Sequence, residues 1–142
     1  MKIAKKVGLV LMILLVFTQS GFCVGFQKVD VDLSRLSGIM VYSEVYNMMY
    51  EPQKYAGKTV RMKGMFYAVT EDRPKPVFAC IVQDATACCM QGLEFRLKGN
   101  YKYPTDYPPV FSEITVSGTF FYENDGWFVN IGLKDAVLEA WR

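Results

Sequence analysis

Two stretches of this chain carry the same pattern, and that pattern narrows the fold more than any other feature. Val60-x-Met62-x-Gly64-x-Phe66 matches Ile114-x-Val116-x-Gly118-x-Phe120. In each, apolar residues alternate with polar or mixed ones, the period of a half-buried strand. Each apolar face carries a glycine in its middle. Such a glycine weakens a strand unless the missing side chain makes room for something. Strands that bend sharply around a small barrel have that need.

Other strand signals follow. Residues 77–83 are almost entirely apolar and read as a strand buried on both faces. Residues 93–97 alternate, and so do residues 127–131, with Trp127, Val129 and Ile131 on one face. Asn124-Asp125-Gly126 is a hairpin turn before the latter. Residues 133–142 fit a further strand or a short terminal helix. One helix is expected, at residues 39–50. Ile39, Tyr42, Val45, Tyr46 and Met49 lie on one stripe, Ser37 is placed as N-cap, and Pro52 stops it. The expected fold is therefore mainly β: a small five-stranded OB-fold-like barrel with one helix before the first strand. The usual helix between the third and fourth strands is missing, because residues 99–109 are rich in proline and tyrosine and cannot be helical.

The N-terminus reads as an address. Lys2, Lys5 and Lys6 precede an apolar run over residues 7–17 and a small, polar exit. That is the layout of a secretory signal, and the run is shorter than the ~20 residues that span a bilayer. The expected organisation is a signal peptide, or an N-terminal membrane anchor, at 1–25, a linker at 26–38, and one domain at 39–142. Phe22 before Cys23 is not the small residue that a lipoprotein signal places there. The formal net charge of +2 rests on 16 basic against 14 acidic residues. Losing the three signal lysines leaves 13 against 14, a net −1. A near-neutral domain without a basic surplus does not suit a nucleic-acid binder. The location read from these features is secreted or extracytoplasmic, with membrane attachment only through an uncleaved anchor.

Chemistry concentrates in Cys80-Ile81-Val82-Gln83-Asp84-Ala85-Thr86-Ala87-Cys88-Cys89. If the strand at 77–83 turns near Asp84 and returns, Cys80 comes opposite Cys88 or Cys89, at the Cβ spacing of paired strands. Three readings stand. A disulfide could join Cys80 to Cys88 or Cys89. Cys80, Cys88 and Cys89 could instead hold zinc or monovalent copper as thiolates. The chain has no histidine, so a fourth ligand would be Glu94, Asp84, water or a partner's residue. The third reading is a redox thiol pair, though the spacing is not Cys-x-x-Cys. Tyr101, Tyr103 and Tyr107, on a proline-stiffened loop, could bind a protein, peptide or glycan by stacking, or fold inward as a lid. No nucleophile elbow and no glycine-rich phosphate loop is present, and a catalytic cysteine would lack its imidazole base. The expectation is a binding protein and not an enzyme.

The run Glu51-Pro52-Gln53-Lys54-Tyr55-Ala56-Gly57-Lys58-Thr59-Val60-Arg61-Met62-Lys63-Gly64 resembles the opening of a bacterial family of extracytoplasmic domains that read Pro-x-x-Tyr-x-Gly-Lys-x-Val-x-x-x-Gly. Members also carry a Cys-Cys pair before a Gly-Leu strand, as Cys88-Cys89 and Gly92-Leu93 do here. The likeness covers about residues 48–97. It implies an association with predicted permeases and with metal homeostasis. A permease or another extracytoplasmic protein is the implied partner, since no permease half is present in this chain.

Overall fold

The computed structural model describes residues 28–124, 126 and 129–141. The expected signal or anchor, Cys23 and Trp127 lie outside them. The elements in order are β1 (Val31–Asp32), α1 (Gly38–Tyr50), a 3-10 turn (Pro52–Lys54), β2 (Thr59–Val69), β3 (Val77–Gln83), β4 (Met90–Leu97), β5 (Glu113–Asn124) and β6 (Val129–Trp141).

The two matched glycine strands are partners. β2 and β5 run antiparallel, with Val60 opposite Gly118, Met62 opposite Val116 and Gly64 opposite Ile114. The far half of β2, from Met65 to Val69, pairs with β3. β3 pairs with β4, β4 runs parallel to β6, and β6 returns antiparallel to β5. The result is one six-stranded mixed sheet with a ring through five strands. β1 lies parallel to the first half of β2, against Val60 and Arg61. The segment expected as a linker or lead-in is thus docked to the sheet, and Leu33 beside it enters the core.

Gly64 marks the point where β2 passes from one partner to the other. A Cβ there would stand 2.5 Å from the Ile81 carbonyl oxygen and 2.9 Å from Cys80 Sγ. Gly118 is squeezed the same way, with Lys134 O at 2.9 Å and the Ala136 Cβ at 3.1 Å. Both glycines exist because the backbone of another strand comes too close for a side chain. The interior is filled by Phe66, Phe95, Phe120, Met62 and Leu93. Dense apolar packing of this kind is the main stabilising term for a domain of this size.

Three sequence expectations change. Residues 129–141 form one continuous strand, not a strand followed by a separate terminal element. Its inward phase slips at a bulge, where Asp135 adopts φ 50° and the pairing with β5 shifts register. Leu133 and Ala136 therefore both face inward although they are three apart. The helix begins one residue early and is rotated from the expected stripe. Val41, Val45 and Met48 are its buried residues, while Ile39, Tyr46 and Met49 are exposed. Apolar residues surround most of this helix, so three- and four-residue spacing fits two faces. The sheet accepts the face bearing two compact valines. Ser37 is the N-cap, but only through its backbone: its carbonyl accepts from Val41 N–H at 2.9 Å, and its side chain makes no capping bond.

The proline-tyrosine loop is turn structure, as its composition requires. It closes over one end of the ring. The Tyr107 ring stacks on Phe78 at 4.1 Å between centroids and also meets Phe66 and Tyr103.

Candidate metal centre

Strand β3 ends at Gln83, and the chain reverses over residues 84–89 before β4 begins. Asp84 organises the reversal. Its backbone N–H donates to Cys89 O at 3.0 Å, and its carbonyl accepts from Ala87 N–H at 3.1 Å. Its Oδ1 accepts from the N–H groups of Thr86 (3.2 Å), Cys88 (3.0 Å) and Cys89 (3.4 Å). Its Oδ2 accepts from the Thr86 hydroxyl at 3.0 Å. This is the local habit of aspartate, whose short carboxylate captures the N–H groups just ahead of it. Ala87 completes the reversal with a φ of 55°.

The reversal places both vicinal thiols around one carboxylate oxygen. Cys88 Sγ is 3.5 Å from Asp84 Oδ2 and 3.6 Å from Cys89 Sγ. Donor atoms of Asp84, Cys88 and Cys89 all lie within 4.8 Å of one another, so this set could hold a metal ion. Both cysteines are exposed. Asp84 also borders one end of an open cleft of about 660 Å³ that runs past Val41, Gly64 and Ile81 to Glu113.

Cys80 does not join them. It lies on β3 opposite Phe66 of β2 and Leu93 of β4, fully buried. The hairpin closes beyond it, at Gln83 opposite Met90, so neither Cys88 nor Cys89 comes opposite Cys80. Burial pushes the Cys80 thiol up to about 12, which keeps it protonated and unfit as a ligand. The expected Cys80 staple and the expected three-thiolate set are both corrected here, and Cys80, Cys88 and Cys89 are free. Of the two acids considered as a further ligand, Asp84 belongs to the cluster. Glu94 instead lies on β4 opposite Ala79 of β3 and Gly132 of β6, where it pairs with Arg96 at 2.9 Å. Tyr103 and Tyr107 pack against the ring aromatics, and Tyr101 remains half-exposed, edge-on to Tyr107.

Electrostatics favour a cation at this turn. Partial desolvation works to raise the Asp84 pKa, but the hydrogen bonds from Thr86, Cys89 and Cys88 outweigh it, and the carboxyl sits below its ordinary range. Cys89 is shifted upward, first by its hydrogen bond with Cys88, then by the negative charge of Cys88 and Asp84. Metal-free, Cys89 thus holds its proton at neutral pH, and a bound dication would displace it. Gly38 and Val41 of α1 line the same cleft as Asp84, and the pKa of Tyr42, on the flank of that helix, is raised by desolvation and then by the charges of Cys89, Asp84 and Cys88. Nothing in the spacing of the chain signals that neighbour, because helix and hairpin meet only in the folded sheet. No family model, curated protein or solved structure matches this chain.

Proposed function

We propose that this chain is an extracytoplasmic, non-catalytic binding domain on an OB-like barrel, and that it holds zinc through Asp84, Cys88 and Cys89. The strand order of the ring supports the fold part. Counted along the ring, its strands follow the order first, second, third, fifth, fourth, with the third and fifth parallel, as in a five-stranded Greek-key barrel. The N-terminal signal pattern supports the location.

One observation carries the metal reading: the spacing of the donor atoms. Tetrahedral zinc, with Zn–S near 2.3 Å and Zn–O near 2.1 Å, sets two sulfurs about 3.8 Å apart and a sulfur and an oxygen about 3.6 Å apart. The turn holds the sulfur pair at 3.6 Å and Cys88 Sγ at 3.5 Å from Asp84 Oδ2. A mixed set of two thiolates and a carboxylate suits zinc better than monovalent copper, whose soft character favours sulfur alone. Three protein donors leave a fourth position open.

The test is titration of the reduced protein with zinc against a chromophoric chelator. One zinc per chain is expected. Affinity should drop at least about a hundredfold in the Cys88→Ser/Cys89→Ser double variant and stay unchanged in Cys80→Ala and Glu94→Gln. Zinc binding that survives loss of both Cys88 and Cys89, or no binding by the reduced chain, would sink the reading.

A further inference from the structure

The outward face of α1 is apolar and unpartnered. Ile39, Tyr46, Met49 and Tyr50 are each close to half-exposed or more, and Tyr50 reaches 77%. Tyr46 and Tyr50 stack on each other along this face, at 6.4 Å between centroids. Contiguous apolar surface on a small domain usually marks a contact site. The helix that carries this surface also borders, through Gly38 and Val41, the cleft lined by Asp84. α1 packs on β3 and β4, the two strands whose connection carries Asp84, Cys88 and Cys89. Met90, also exposed, directly follows Cys89.

We propose that the occupant of this face is a second copy of the chain, docked by zinc. This inference rests on the zinc reading above and adds the source of the missing donor. The set on one chain is incomplete, and closed zinc sites have four ligands. A two-fold axis near the hairpin brings the same exposed thiols of the second copy to the first copy's ion. One thiolate of each copy then bridges to the ion of the other, fills its open position and replaces water. The arrangement is isologous, so the two α1 faces meet each other across the same axis. Their charge allows it. Among residues 38–50 the only charged side chain is Glu44, which accepts the Tyr55 hydroxyl at 2.7 Å, so two copies meet without a row of like charges. The same lack of lysine and arginine argues against a membrane surface as occupant, since interfacial helices carry a basic polar face.

Sedimentation velocity of the purified, reduced chain, with zinc and with EDTA, tests the proposal. The zinc-loaded chain is expected to sediment as a dimer and the EDTA-treated chain as a monomer. The Ile39→Glu/Tyr46→Glu variant should still bind zinc, with its dimer weakened at least tenfold. A zinc-loaded monomer that holds its ion through Cys88 and Cys89 overturns this inference and leaves the zinc reading intact. Absence of zinc binding overturns the reading beneath it. A dimer that persists in EDTA would overturn docking by zinc, an unaffected dimer in the charged variant would overturn the α1 face as its seat, and pelleting of the zinc-loaded chain with neutral phosphatidylcholine vesicles in place of dimerisation would overturn the proposed occupant.

Discussion

Cys80 and the Cys88–Cys89 pair are the same side chain in opposite surroundings, a few residues apart on one hairpin. Cys80 is enclosed by Phe66, Leu93 and the bare face of Gly64. Burial there makes it a small hydrophobe whose thiolate is out of reach. Cys88 and Cys89 stand at the hairpin's end, exposed, around a carboxylate that binds three backbone N–H groups. One sulfur serves packing, and two are free for coordination. The contrast shows that clustering in sequence says little about thiol chemistry until the depth of each residue is known.

The widest gap between the two environments should appear in thiol labelling. A disulfide reagent at neutral pH is expected to modify the hairpin pair while Cys80 stays protected until the chain unfolds, a difference of at least about a thousandfold in rate. Equal labelling of all described cysteines in the native chain would erase the distinction. Next comes packing. Gly64→Val pushes carbon into the Ile81 carbonyl and Cys80 Sγ, and should cost about 3 kcal/mol or more in chemical denaturation. A fully stable Gly64→Val chain would mean that β2 does not bend where the structure bends it. Cys80→Ala removes the buried sulfur and is expected to cost about 1 kcal/mol with no change in zinc affinity. A loss of zinc binding there would join the two regions that the structure separates.

The smallest effect is in acid. The Asp84 pKa is lower in the folded chain than its usual 3.8. Its contribution is therefore complete above the unfolded value and is lost as pH falls through the folded one. Asp84→Asn should lower stability modestly at neutral pH, flatten the acid limb of the stability curve in that window and leave the chain little altered below it. Zinc affinity also rises with pH, in a higher window. The raised Cys89 pKa means a proton must leave, so affinity should climb as pH rises above neutral. Affinity that does not change with pH would mean that Cys89 does not bind as a thiolate.

Much of the fold can be read along the chain. The alternation of residues 59–67 and 113–122, the paired glycines and the stop at Pro52 are local signals, each set by the geometry of a few neighbouring residues. The hairpin carrying Cys88 and Cys89 is legible for the same reason, since Asp84 folds the turn with its own side chain. What stayed hidden depends on where strands meet. The bulge at Asp135 moves half of β6 to the opposite phase, because β5 dictates its register. The choice of Val41, Val45 and Met48 as the buried stripe is made by the sheet surface, not by the helix. The separation of Cys80 from its neighbours follows from the hairpin closing at Gln83 and Met90, which puts Cys80 across from Leu93 in the ring and leaves a carboxylate, not a third sulfur, beside the exposed pair.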